Sequence, residues 1–410
     1  MNVNNKLIFR VILFTVVFCF LFPIVSFGTA EEFVWSSDEI VSSVNASVAS
    51  ESSGLLNLEC GGAVLIEQNT GKVLYDHHMH EKLKPASVTK VMTILLIMEA
   101  LDSGKITLDT RIPCSENARN MGGSQIWLDT RETLTVNEML KAICVVSAND
   151  CTVAMAEYLA GSEEGFVITM NQKAQALGMK DTTFKNCHGI DEDGHETSAY
   201  DIALMSRELL VNHPSITNYT TIWMDTLRDG KSQLVNTNKL IRNYKGATGL
   251  KTGSTSLALY NLSASATRDD LSLIAVVMKA PTTKVRFAEA QKLLDYGFST
   301  YSYREFGKKE DVVKSLTVTK GTLKNVNAIL ENSTGALVKK GEEKNLVQNV
   351  NLGDSVQAPI TRGHVLGEVT YSLNGEVVGR SNIVAEKDIP QISLWSMMGY
   401  LFQSWYQLIR

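Results

Sequence analysis

The chain has 410 residues, 44% of them hydrophobic and 20% charged, with 7 Pro, 28 Gly and 6 Cys; this excludes a disordered, collagenous or disulfide-knotted protein. The length suits two or three domains, each able to bury a core. The formal charge of −5 comes without a dense Lys/Arg cluster, which argues against a nucleic-acid partner, because phosphate binding needs a basic face.

At the N-terminus, Lys6 and Arg10 precede an uncharged run from Val11 to Phe27 that closes with Gly28-Thr29-Ala30. That order reads as a secretory signal over residues 1–30 with a small-residue cleavage site. A permanent membrane span is the alternative, although the run is slightly short for a bilayer and Pro23 breaks it. A lipoprotein signal does not fit, since Cys19 sits mid-run behind bulky Phe18. Cleavage after Ala30 leaves 380 residues with a formal charge of −7, an acidic exported protein. The remaining cysteines, Cys60, Cys114, Cys144, Cys151 and Cys187, are odd in number and scattered, so a disulfide framework is not expected. Cys144 and Cys151 fall in a helical stretch, two turns apart and too distant to bridge. Buried thiols acting as small hydrophobes are the expectation.

Residues 31–53, rich in Ser, Glu and Val without period, read as a flexible spacer. The body begins with a β-hairpin: Gly62 to Gln68, a turn at Asn69-Thr70-Gly71, and Lys72 to Tyr75. Val91 to Met98 is apolar on every side and predicts a helix buried all round. Val153 to Leu159 and Gln172 to Leu177 predict further helices, and Ser198-Ala199-Tyr200-Asp201 has capping-box form before Ile202 to Leu210. Strands return at Leu259 to Ala266 and Leu271 to Met278, separated by a turn at residues 267–270, and a helix from Val285 to Tyr296 closes a body of α/β type. Beyond Gly307, short Val/Leu/Ile runs alternate with turn pairs such as Gly353-Asp354 and Asn374-Gly375, the texture of a small all-β domain. In residues 390–410, Ser393, Ser396, Gln403, Gln407 and Arg410 draw one narrow polar stripe beside Trp395, Tyr400, Trp405 and Tyr406. Such a helix suits a membrane interface; docking on the protein's own core is the alternative.

The chemistry begins at Ser87-Val88-Thr89-Lys90. In a helix starting at Ser87, Lys90 lies one turn on and faces the same way. A buried Lys with a lowered pKa can take the proton that a serine hydroxyl must lose to become a nucleophile. A helix N-terminus adds free N–H groups where an oxyanion would form. Alone, S-x-x-K is a weak signal, and Ser87 then reads as a simple helix N-cap. The ordered company strengthens it: Ser147-Ala148-Asn149 follows, then Lys251-Thr252-Gly253 just before the strand at Leu259, the succession S-x-x-K, S-x-N, K-T-G of penicillin-recognising serine enzymes.

PASVTKVMT (residues 85–93), SAND (147–150), LGMKDTTFKN (177–186) and GLKTGST (249–255) resemble the low-molecular-mass penicillin-binding proteins of the serine-type D-alanyl-D-alanine carboxypeptidase family. The resemblance implies a mixed α/β (α+β) transpeptidase/β-lactamase-like catalytic domain over 54–306, a small all-β domain over 307–389 and a C-terminal amphipathic anchor over 390–410. It implies acylation of Ser87 with Lys90 as base, Ser147 passing a proton to the leaving D-alanine, and Asn149 holding the substrate amide. Lys251 would set the electrostatics of the proton path. Thr252 and Arg286 would bind the substrate carboxylate, and Gly253-Ser254 would line the groove, with the N–H groups of Ser87 and Ser254 as the oxyanion hole. The implied partners are the peptidoglycan pentapeptide, β-lactams as covalent inhibitors and, through the C-terminal helix, the outer face of the cytoplasmic membrane.

One departure stands out: Ala258-Leu259 occupies the place where the family usually has Ala-Gly, and a bulky Leu there would narrow the groove. No cofactor or metal is implied, because Asp76-His77-His78-Met79-His80 lacks a helical ligand pair; His188 and His195 read as structural. Two competitors accompany the carboxypeptidase reading. A β-lactamase would need fast deacylation, for which the loop before the capping box offers only Glu192 and Glu196 in no recognisable motif; a catalytically slow wall-binding scaffold is motivated by Leu259.

Overall fold

The structure, a computed structural model, describes residues 55–393 together with Met398, Gly399 and Trp405. The expected signal, the spacer and all but a few residues of the expected C-terminal helix lie outside the described residues. Among the described residues no helix is long and apolar enough to cross a membrane.

Five strands form the central sheet: β1 (Gly62–Glu67), β2 (Val73–His77), β3 (Ala247–Thr255), β4 (Leu259–Arg268) and β5 (Leu271–Ala280). Their order is β2-β1-β5-β4-β3, with every pair antiparallel. β1 is buried at all six positions, and the side-chain period of two explains how. Val64 and Ile66 face one core with Ile274, Val276 and Met278; Ala63 and Leu65 face a second with Leu273, Ala275 and Val277. A sheet covered on both faces reads as continuous apolar sequence.

The first core belongs to the helices α1 (Lys90–Asp102), α2 (Asn149–Ala160), α3 (Glu163–Ala176) and α4 (Ala199–Asn212), and the second to α5 (Thr283–Thr300). α1 is buried at every residue from Lys90 to Met98, as its apolar circumference predicts. Three local expectations change. Ser87 does not open α1, because Ala86–Thr89 form a 3₁₀ turn and the α-helix starts at Lys90. The Ser198 box is half made: Ser198 Oγ accepts from Asp201 N–H, while the Asp201 carboxylate accepts from Asp181 N–H and Thr182 Oγ1. The complete capping box lies instead at Thr135 and Glu138. The stretch joining Cys144 to Cys151 is also no single helix, since a π-turn over Ala142–Val146 ends at Ser147 with φ +65° before α2 begins. All five described cysteines are buried and free.

The chain then enters β6 (Tyr301–Gly307), β7 (Val312–Thr319), β8 (Asn325–Leu330), β9 (Thr334–Lys339), β10 (Leu346–Leu352), β11 (Ser355–Gln357), β12 (Val365–Leu373) and β13 (Glu376–Ala385). Six of them form one sheet, β10-β12-β13-β8-β7-β11, and β6 pairs with β9. This region has its own core, with Leu316, Val326, Val369, Tyr371 and Ile383 in it. Asn374 and Gly375 turn β12 into β13 with φ of +52° and +90°, the two-residue turn whose twist matches a hairpin.

Candidate active site

Ser87 is half-buried on the 3₁₀ turn, and Lys90, the first residue of α1, is fully buried beneath it. Lys90 Nζ lies 3.0 Å from Ser87 Oγ, 2.6 Å from Asn149 Oδ1 and 2.7 Å from the His188 carbonyl. Burial, and then the neighbouring Lys251 cation, hold the Lys90 ammonium well below its ordinary range. A neutral amine within hydrogen-bond reach of a hydroxyl can accept its proton. The turn itself is strained: Ala86 has φ +48°, a conformation that costs an L-residue about 1–2 kcal/mol. Gly189 allows the close approach, since a Cβ there would lie 1.9 Å from the Ala86 carbonyl oxygen and 2.9 Å from Ser87 N.

Asn149 opens α2 and reaches both ways, accepting from Lys90 through Oδ1 and donating from Nδ2 to the Gly122 carbonyl at 2.6 Å. Ser147 owes its position to the break in the helix; in the left-handed conformation it is 4% exposed, and its hydroxyl has no hydrogen-bond partner among the described residues. Strained backbone and an unpaired buried hydroxyl at one residue are features that packing alone does not favour.

The other wall is β3. Gly253 brings it against the nucleophile turn: a Cβ at Gly253 would lie 2.8 Å from the backbone nitrogens of Ser87 and Val88. The next residue, Ser254, is exposed. Lys251 is 1% exposed, donates from Nζ to the Thr252 carbonyl at 2.9 Å, and titrates at about 7 because it is buried and Arg286 stands near. Thr252 Oγ1 donates to Thr237 Oγ1 at 2.7 Å. Arg286 is a buried α5 residue: Nη1 donates to the carbonyls of Gly253 and Asn261 at 3.2 and 3.3 Å, and its guanidinium lies over the Phe287 and Tyr260 rings. Burial lowers it to about 10. Ser87, Lys90 and Asn149 are thus joined by hydrogen bonds, and Gly253 links β3 to both the Ser87 turn and Arg286.

His188 and His195 are neutral, held down to about 3 and 4 by burial. His195 Nδ1 accepts from Lys185 N–H, so Nε2 carries the proton and donates to Thr89 Oγ1 at 2.8 Å. His188 serves through its carbonyl, which accepts from Lys90. Leu259 has φ +55°, which gives its departure from glycine a backbone cost.

Sequence reasoning missed three contributors. Thr237 carries the hydroxyl that fixes Thr252, and is presented by flanking Asn236 and Asn238, 4% and 1% exposed, whose side chains donate to backbone carbonyls. The Gly122 and Ser124 carbonyls hold Asn149, and Asp150 accepts from Ile126 and Leu128 N–H. The alternation Asn-Thr-Asn was a signal for the first; backbone carbonyls leave none.

Residues 46–282 match the family model described as D-alanyl-D-alanine carboxypeptidase, and residues 301–391 match the penicillin-binding protein 5 C-terminal domain. D-alanyl-D-alanine carboxypeptidase DacF of Bacillus subtilis (strain 168) is 45% identical over 351 residues, covering 85% of this chain and 90% of that protein. Penicillin binding protein 5 from Haemophilus influenzae is similar in structure, with a TM-score of 0.69 at 31% identity over 82% of this chain and 98% of that one. Penicillin-Binding Protein D2 from Listeria monocytogenes, solved in an ampicillin-bound form, has a TM-score of 0.55 at 30% identity, covering 59% of this chain and 99% of its own.

Proposed function

The chain belongs to the D-alanyl-D-alanine carboxypeptidase family and is a serine hydrolase of that kind; from that premise we propose that Ser87 carries the acyl group. The observation that supports this best is the buried Lys90 amine 3.0 Å from Ser87 Oγ. Ser87 Oγ attacks the carbonyl carbon of the penultimate D-alanine while its proton passes to Lys90 Nζ. The N–H groups of Ser87 and Ser254 stabilise the oxyanion, at about 3 kcal/mol per donor. Collapse breaks the C–N bond, and the amine of the terminal D-alanine leaves with a proton relayed through Ser147. Asn149 holds the acyl-side amide, Lys251 biases the relay electrostatically, and Thr252 and Arg286 hold the terminal carboxylate. Water then hydrolyses the ester and restores Ser87. A β-lactam enters by the same attack, and its ring-opened acyl group stays on the serine.

The substrate class is the peptidoglycan stem pentapeptide, which requires an exported protein. We assign residues 1–30 to its signal, 54–306 to the catalytic domain and 307–389 to the β-rich domain. Residues 390–410 would attach it peripherally to the outer face of the cytoplasmic membrane through their aromatic face. The test is D-alanine release from diacetyl-Lys-D-Ala-D-Ala together with labelling by a fluorescent penicillin. Ser87→Ala should abolish both in a folded protein; a Ser87→Ala protein that still takes up the label excludes Ser87 as nucleophile.

A further inference from the structure

The loop over residues 122–128 lies against the N-terminus of α2. Its Gly122 and Ser124 carbonyls accept from Asn149 Nδ2 and N–H at 2.6 and 2.7 Å. Its second half is clamped from two sides. Fully buried Asp150 accepts from the N–H groups of Ile126 and Leu128, each at 3.1 Å. Arg228 donates to the carbonyls of Ile126 and Trp127 at 2.8 and 3.3 Å, and is itself fixed by both Glu132 oxygens at 2.9 and 2.6 Å.

The residue held in this clamp is Trp127. Ile126 and Leu128 are 6% and 3% exposed, whereas Trp127 between them is 75% exposed with φ +61°. An aromatic side chain in water forgoes the apolar burial that aromatics ordinarily contribute, and a bulky residue in the left-handed region is a backbone outlier. Such a conformation persists only where its surroundings over-determine it, and these positions cluster at ligand sites.

We propose that Trp127 is a subsite wall for the stem peptide on the acyl side of the scissile bond, packing its indole face against the stem residues upstream of the diamino acid, which the short peptide lacks. The proposal rests on the carboxypeptidase reading. Asn149, assigned there to the acyl-side amide, is gripped by the same loop. That shared loop puts Trp127 on the same segment as the carbonyls that hold Asn149, and the proposal therefore assigns it to the acyl arm. The indole offers an apolar face and no charge, which suits the aliphatic stretch of a peptide backbone or side chain.

The full chain is assayed for D-alanine release on three substrates: diacetyl-Lys-D-Ala-D-Ala, the free stem pentapeptide and the disaccharide pentapeptide. The readout is the ratio of kcat/KM on the pentapeptide to kcat/KM on the short peptide. Trp127→Ala should lower that ratio about tenfold, and Trp127→Phe, which keeps an aromatic face, should hold it within about threefold. An unchanged ratio in Trp127→Ala overturns the subsite. Equal losses on short and long substrates also overturn it, because they assign Trp127 to support of the loop. A loss confined to the disaccharide substrate overturns the peptide assignment in favour of the sugar. If the wild-type protein releases no D-alanine from any of the three, the carboxypeptidase reading itself fails and takes the subsite with it.

Discussion

Lys251→Met keeps the length of a buried side chain and removes its charge, and the consequence for stability follows from one titration. Burial first, with Arg286 near, brings Lys251 from 10.5 to about 7. At about 1.36 kcal/mol per pH unit, this is a bias of about 5 kcal/mol against the charged form in the native state. Above pH 10.5 the amine is neutral in both states and contributes nothing to the balance. As the pH falls from 10.5 toward 7 the unfolded chain takes up a proton that the native state refuses, so native stability drops by about 1.4 kcal/mol per pH unit. Below about 7 both states are charged and the loss levels off. The variant escapes this loss and gives up the hydrogen bond to the Thr252 carbonyl, a net contribution of about 1 kcal/mol. Lys251→Met should therefore be more stable than the wild type by about 2–4 kcal/mol at pH 7, and that advantage should shrink by about 2 kcal/mol at pH 8.5. Urea unfolding at the two pH values measures both. Equal pH slopes for the two proteins would refute the reasoning. A second readout is kinetic: the Lys251 cation is one cause of the low Lys90 pKa, so its removal should move the acid limb of penicillin acylation to higher pH while lowering the rate.

Gly189→Ala places a Cβ 1.9 Å from the Ala86 carbonyl oxygen; it should destabilise by more than about 2 kcal/mol and slow penicillin labelling, and an unaltered labelling rate would mean that this turn does not position Ser87. At Leu259, with φ +55°, Leu259→Gly should be more stable than Leu259→Ala by about 1 kcal/mol in thermal unfolding, the reverse of the usual order, because only glycine is free of the left-handed penalty; the usual order would remove strain as the cost of this departure. Arg286→Gln should lower kcat/KM on a peptide acid about ten- to a hundredfold and much less on the peptide amide, since a hydrogen bond to a charged group contributes about 1.5–3 kcal/mol; equal losses on both would make Arg286 a support of β3 through Gly253.

Much of this protein was legible in the sequence alone, and the reason is local. The all-round apolar helix after Lys90, the hairpin at Asn69-Thr70-Gly71 and the turn-punctuated β region each follow from periodicity and turn chemistry over a few residues. The meeting of Ser87 and Lys90 was legible for the same reason: they are one turn apart, and both the expected α-helix and the observed 3₁₀ turn set them on one side. What the tertiary structure alone decided is everything that depends on distant segments meeting. Ser147 lies on a break that no local propensity announces, because the π-turn and the left-handed residue are tolerated only where the surrounding core holds them. Arg286 is marked in the sequence only by the family resemblance, and its burial and its hold on the Gly253 carbonyl arise once the fold lays α5 against β4. The low pKa of Lys90 and Lys251 is likewise absent from their identities, since desolvation exists only once α1, α2 and β3 have closed around them and excluded water. Thr237 and Trp127 belong to the same class, each exposed between two buried neighbours, an exposure that only the assembled fold fixes.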